Sequence, residues 1–475
     1  MRDGHQRFRQ GRLFIVWLLV IGTLTATTHA QGAVSTPQRL AVSDDGHYLI
    51  TQNGKPFFWL GDTAWELFSR LNKAEAIQYL DNRRDNGFNV IQAVILTEYS
   101  LEVPNAESAA LALKDNDPLQ PNETYFQYVD WVIQQAAERG LYVGLVPTWG
   151  DKVNLKNGLG PILFNADNAR PYGLYLGKRY RDASNIIWLL GGDRNPESET
   201  ELTIWREMAA GIEEGAGASA MITYHPRGQK SSATWFQKDP TFDFNMIQSG
   251  HSLRDTPTWE LIAEGYDLTP TKPILDAEFN YEGFAIAKNR ANGYFTDYDV
   301  RKQAYRSVFA GGAGVTYGHH SIWQFYDSTR KAIGYADTYW YDALNAPGAV
   351  QMKYLSHLIL SRPYFDRIPD QKLLLPIQNV VDGGNAAQPI ATRDSDGSYA
   401  FIYIPTNQPL MVDFSRLSGT MIRAWWYDPR TGKSLLAGEF AKSEPRRLLP
   451  PVSYPDWVLV LDDAARGFGA PGAAQ

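Results

Sequence analysis

The chain has no cysteine, and that absence removes disulfide bracing, thiolate metal sites and a cysteine nucleophile together. It also lacks a strong charge bias. Its 45 Lys and Arg against 52 Asp and Glu leave a net charge of −7 over 475 residues, and no basic stretch marks a nucleic-acid surface. Long apolar runs are missing beyond the N-terminus. There, Arg2, Arg7, Arg9 and Arg12 precede an apolar run over 13–24, and Thr28-His29-Ala30 supplies small residues where a signal peptidase cuts. The run is shorter than the roughly 20 residues a membrane span needs. Residues 1–30 are therefore expected to be a secretory signal peptide cleaved near Ala30, leaving a periplasmic or secreted protein with no membrane attachment. Without disulfides such a protein depends on core size, and the chain is long enough for a large barrel and a second domain.

Two further motifs are absent. No Gly-rich nucleotide fingerprint follows the first apolar strand. Neither HExxH nor HxH occurs among the 8 histidines, so neither metal nor cofactor is expected. Aromatic residues, by contrast, are plentiful at 13%, with 14 Trp and 26 Tyr. Most belong in a core, but their flat faces also suit the apolar faces of sugar rings.

After a turn-rich strand pair over 39–55, apolar runs alternate with helical patterns. Strands are predicted over 57–60, 89–96, 141–147, 186–190, 221–225, 244–248, 273–279 and from 314 to 317. Helices are predicted over 73–86, 123–139, 169–181, 200–214, 299–309 and 350–360. Buried parallel strands read as continuous apolar runs, and eight of them with helices between predict a (β/α)8 TIM-type barrel over 37–370. From about residue 371 the pattern shifts to short strands with turns at Asp396-Gly397 and Thr431-Gly432, predicting a small antiparallel β-sandwich over 371–463. A Gly/Ala-rich tail over 464–475 is expected to be flexible.

A (β/α)8 barrel places its active site at the C-terminal ends of the strands. The residues there are Asp62 and Trp65, Glu98, Trp149, Asp193, His225, His251, Asp276 and Glu278 with Asn280 and Tyr281, and His319, His320 and Trp323. Acids, amides, histidines and aromatics on one rim suit a carbohydrate substrate. Cleaving a glycosidic bond takes two carboxyl groups, one to protonate the leaving oxygen and one to attack the anomeric carbon or activate water. Asp193, after two glycines, and Glu278, at the end of an apolar strand, are the expected pair. Period-two alternation would put Asp276 and Asn280 on the side of Glu278, with Asp276 deeper and structural. Asp62, Trp65, Glu98, Trp149, His225, His251, Asn280, Tyr281, His319 and Trp323 are expected substrate contacts, although Asp62 could instead cap a helix. The rim histidines are expected to hydrogen-bond substrate or neighbouring carboxylates. The alternative is a non-catalytic glycan-binding protein on the same barrel, against which the paired carboxylates speak.

The segments FFWLGDTAWELF (57–68), NVIQAVIL (89–96), IIWLLGGDRNP (186–196) and LDAEFNYEG (275–283) resemble the apiosidase-like glycoside hydrolases. WWYDPRTG (425–432) resembles the collagen-binding-like β domain that follows such barrels, a name that is no evidence of collagen binding. The resemblance implies an acid/base role for Asp193, a nucleophile role for Glu278, a retaining mechanism and no metal. It also implies a plant cell-wall pectic substrate, with release of apiose as the characterised activity of the family.

Overall fold

The computed structural model describes residues 37–217, 220–377, 383–451 and 454–473, with Met1 and Gly4. Apart from those two positions, the expected signal peptide lies outside the described residues. Three short strands, Leu40–Val42, Leu49–Thr51 and Pro56–Phe57, form an antiparallel sheet. Phe57 therefore belongs to this sheet and not to the first barrel strand. The chain breaks its pairing at Phe58, and the barrel strand begins two residues later than its apolar run suggests.

The barrel strands are β1 (Trp59–Thr63), β2 (Val90–Leu96), β3 (Tyr142–Thr148), β4 (Ile186–Gly191), β5 (Ile222–His225), β6 (Asn245–Gln248), β7 (Ile274–Asp276) and β8 (Gly314–Tyr317). They pair in parallel from β1 to β5 and from β6 to β8, and β8 returns to β1 with Gly314 opposite Trp59. Between β5 and β6 the barrel closes by Asp243 N donating to Ile222 O (2.8 Å) and Thr223 Oγ1 donating to Phe244 O (2.6 Å). The two-residue strand Lys230–Ser231 runs antiparallel beside β6.

The strands bury both faces. Trp59, Val90, Val94, Val146, Leu189, Met246 and Leu275 fill the lumen, where Trp59 Nε1 donates to Thr316 Oγ1 at 2.9 Å. Alternate residues such as Leu60, Ile91 and Ile274 face the surrounding helices. The helix Lys73–Asp85 starts at a capping box in which Asn72 and Glu75 exchange side-chain-to-backbone hydrogen bonds, and Ala166–Arg179 starts the same way at Asn165 and Asn168. Glu123–Glu138, Glu199–Ala216, Asp297–Phe309 and Pro347–Leu360 complete the long helices. Thr258–Tyr266, between β6 and β7, is a further helix beyond those that the sequence predicts.

The C-terminal part packs a six-stranded antiparallel sheet against a three-stranded one around Ile402, Ile404, Val412, Ile422 and Leu459. It joins the barrel without a gap. Tyr305 and Phe309 of the helix Asp297–Phe309 stack on Tyr403 and Phe401 (5.1 and 5.9 Å between ring centroids). On the same helix, Arg301 binds Asp456 through Nε (2.7 Å) and Nη2 (2.9 Å), with both side chains buried. The tail expected to be flexible makes defined contacts as far as it is described: Arg362 Nη2 donates to Gly469 O (3.0 Å) and Ser434 Oγ to Pro471 O (2.8 Å).

Candidate active site

Asp193 owes its position to the three residues that end β4. Gly191 and Gly192 have φ of +90° and +95°, and Asp193 itself sits at +54°. L-residues resist this left-handed region, though a short polar side chain tolerates it better than most. The turn lets the Trp149 ring lie against Gly192, where an added β-carbon would meet Trp149 Cε3 at 2.8 Å. Gly192→Ala is therefore expected to push Trp149 or the turn aside. Displacements of about 1 Å near reacting groups cost about 100-fold in rate. Turnover should fall by that order while the circular dichroism spectrum stays native, and wild-type turnover would show that the turn can give.

Glu278 arrives by a different route. Strand β7 stops at Asp276, and the chain bends at Ala277 and Glu278, which breaks the two-residue alternation. The bend swings Glu278 into the barrel mouth. His251 Nε2 lies 2.8 Å from Glu278 Oε1, and His225 Nε2 lies 3.3 Å from Oε2. Glu278 is 5% exposed. Burial alone would raise its pKa, but the two imidazoles outweigh burial and hold it well below the usual carboxylate range. Asp193 moves the other way. Loss of hydration raises its pKa and the charge on Glu278 raises it further, against the opposing pull of Arg194, His225 and a hydrogen bond with Gln248. The two carboxyls are thus pushed in opposite directions, Glu278 towards its anion and Asp193 towards holding its proton more tightly, as a division of labour between acid and nucleophile needs.

A cavity of about 210 Å³ opens on this pair, walled by Trp65, Trp149, Trp323, Tyr281 and Phe284 and reached by Glu98, His251, Lys288 and His320. Arg194 ties two acids together, with Nη2 3.1 Å from Glu98 Oε1 and Nη1 3.5 Å from Asp193 Oδ2. Trp65 Nε1 donates to Tyr281 OH (3.2 Å), and Trp323 Nε1 donates to His320 Nδ1 (3.3 Å). The His251 ring packs on Tyr281 and Phe284, with centroids 4.3 and 4.8 Å away. Among the described residues no group of three His, Asp or Glu side chains is placed to hold a metal ion.

Of the expected residues, Asp193, Glu278, Trp65, Glu98, Trp149, His251, Tyr281 and Trp323 meet at this cavity. His225 stands behind Glu278, fully buried, and touches the carboxylate instead of the cavity. Three further expected substrate contacts are placed away from the cavity. Asp62 is on the outer face of β1, fully buried, where Tyr79 OH donates to it and Arg83 Nε lies 3.6 Å away; with Trp59 turned into the lumen, alternation sends Asp62 towards the helices. Asn280 lies beyond the bend, where its Nδ2 donates to Arg254 O (3.2 Å). His319 accepts from Ser321 N through Nδ1 (3.1 Å), and burial lowers its pKa to about 3. Asp276, expected on the side of Glu278, turns away and accepts from Ser249 Oγ (2.8 Å) and Ser307 Oγ (3.2 Å).

His320, named among the rim histidines, also lines the cavity, whereas Gln248, Phe284 and Lys288 are contacts that the sequence does not single out. Gln248 carried a signal, as a polar residue at the end of an apolar strand. Phe284 and Lys288 come from a long loop after β7 with no pattern to mark them.

No functionally curated protein matches the chain. The family model described as "Apiosidase-like, catalytic domain" matches residues 43–366, and the model described as "Putative collagen-binding domain of a collagenase" matches residues 368–462. Among solved structures, a glycoside hydrolase family 5 protein from Bacteroides vulgatus is similar with a TM-score of 0.82 and 34% identity, covering 91% of this chain and 95% of its own. Another solved glycoside hydrolase is similar with a TM-score of 0.81 and 36% identity, over 90% of this chain and 97% of its own.

Proposed function

The chain belongs to the apiosidase-like family of glycoside hydrolases, and from that premise we propose that it is an exported, retaining glycosidase of plant cell-wall pectic glycans, with apiose as the sugar it releases. Glu278 is the nucleophile and Asp193 the acid/base. The observation that carries this reading is the meeting of the two carboxyls at one cavity, Glu278 in contact with His225 and His251, which favour its anion, and Asp193 beside it, whose pKa lost hydration and the charge on Glu278 raise.

Glu278 attacks the anomeric carbon while Asp193 protonates the departing oxygen, which yields a covalent glycosyl-enzyme. Asp193, now ionised, takes a proton from water as that water attacks the same carbon, and the product keeps its configuration. The aromatic walls shield the pair from bulk solvent and offer flat faces to the sugar ring. Family membership supports the pectic substrate and apiose. The arginine-led apolar run at 13–24 supports export.

The pH profile tests the assignment. Activity needs Glu278 ionised and Asp193 protonated. It should therefore fall as pH drops through the depressed Glu278 pKa, and fall as pH rises through the raised Asp193 pKa. The alkaline limb should vanish in Asp193→Asn assayed with an aryl glycoside, whose leaving group needs no proton. An alkaline limb that persists in that variant would take the acid/base role away from Asp193. Proton NMR of the first-formed anomer during hydrolysis of pectic oligosaccharides reads both the stereochemistry and the sugar released; an inverted first product would exclude the retaining step.

A further inference from the structure

A second cavity, about 650 Å³, lies next to the first, and Tyr99 and Ile333 line both. Its walls are the segment that follows β2 and the loop at 329–333 that follows β8. It is larger than the space over the carboxylates and differs from it in charge. Arg70, Arg330 and Lys331 line it and no acidic side chain does. Arg70 and Arg330 are held by Glu66, Glu75 and Asp327. Lys331 is exposed and makes no ion pair among the described residues. Val103, 54% exposed, adds an apolar surface.

The side on which this cavity opens is informative. Arg194 connects Asp193 to Glu98, the residue before Tyr99. Glu278 is held from the other wall by His251, whose ring packs on Tyr281 and Phe284. A general acid faces the oxygen it protonates, so the space beyond Tyr99 lies on the leaving-group side. We propose that this second cavity is the leaving-group subsite, where Lys331 and the Tyr99–Val103 surface hold the remainder of a carboxylate-bearing glycan while its terminal sugar occupies the smaller cavity. The proposal rests on the glycosidase reading and adds to it the place and the charge of the chain that departs.

Ala106 and Lys331 are exposed and outside the reacting pair, so substitution there is tolerated by the fold. The test measures binding of acidic oligosaccharides from partially hydrolysed pectin to the Glu278→Gln protein by calorimetry, with carboxyl-reduced oligosaccharides as the control. Adding Lys331→Glu should weaken binding of the acidic set about tenfold, the size of one charge-assisted contact, and leave the reduced set unchanged. Adding Ala106→Trp should weaken both sets, because it fills the space. Hydrolysis of an aryl glycoside by the otherwise unsubstituted Ala106→Trp protein should stay within about twofold, since its short leaving group does not reach the subsite. Unchanged affinity in both variants would overturn the subsite, as would equal losses on the aryl glycoside. Failure of the unsubstituted protein to cleave any glycoside would instead fall on the glycosidase reading, and the binding measurement keeps the two failures apart.

Discussion

Glu278→Gln is expected to lower turnover of any glycoside substrate by at least about 10⁴-fold, the scale on which loss of a nucleophile is felt. The amide keeps the shape of the side chain but cannot attack the anomeric carbon. The same change removes a carboxylate whose contacts with His225 and His251 outweigh its cost of burial, a net stabilising charge above its unfolded pKa. The unfolding midpoint at neutral pH should accordingly fall modestly while the fold is kept. Asp193→Asn should cost about 10²–10⁴-fold on substrates with poor leaving groups and much less on aryl glycosides. Steady-state kinetics on both substrate types, with urea titrations alongside, check these outcomes. A Glu278→Gln protein that retains a tenth of wild-type turnover would move the chemistry to another residue.

The largest effect on stability is expected at Asp62, a residue that sequence position alone places at the rim. Asp62 and Arg83 are both fully buried, and Arg83 also packs over the rings of Tyr79 and Phe88 at 5.5 and 5.2 Å. Removing one partner leaves an uncompensated charge in the core. Asp62→Ala should therefore lower unfolding free energy by about 3–5 kcal/mol. Replacing both partners at once, Asp62→Leu with Arg83→Met, should cost less than the single change, because neither charge is then left alone. KM should stay near wild type for whatever fraction remains folded. A raised KM at unchanged stability would return Asp62 to the substrate site.

The contrast between these two acids explains what the sequence could disclose. The eight barrel strands were legible because each is buried on both faces and reads as an apolar run. The phase of alternation inside a strand was not legible. Whether Asp62 or Thr63 faces the lumen follows from Trp59 turning inward, and a run that is apolar on both faces does not reveal that phase. Glu278 was legible as an acid at the end of an apolar run, yet the reasoning that paired it with Asp276 and Asn280 assumed a straight strand, and the bend at Ala277 undid it. His225 and His251 could be named as rim residues, but their convergence on one carboxylate joins the ends of β5, β6 and β7 and exists only in three dimensions. The helix Thr258–Tyr266 is short and follows Pro257 without a side-chain cap, so it carried neither a start signal nor length enough to show a period.

The seam between the barrel and the C-terminal sheets bears on how the protein meets a carbohydrate. Stacked rings and a two-point Arg301–Asp456 pair make that seam part of one core, with Phe309, Phe401, Tyr403 and Val460 in the same cluster. A tethered module gains avidity by searching independently for a second epitope, at an effective concentration set by its linker. No such search is open to sheets that share their packing with a barrel helix. Whatever surface they present travels with the catalytic mouth at a fixed bearing, so barrel and sheets meet a carbohydrate substrate as one unit.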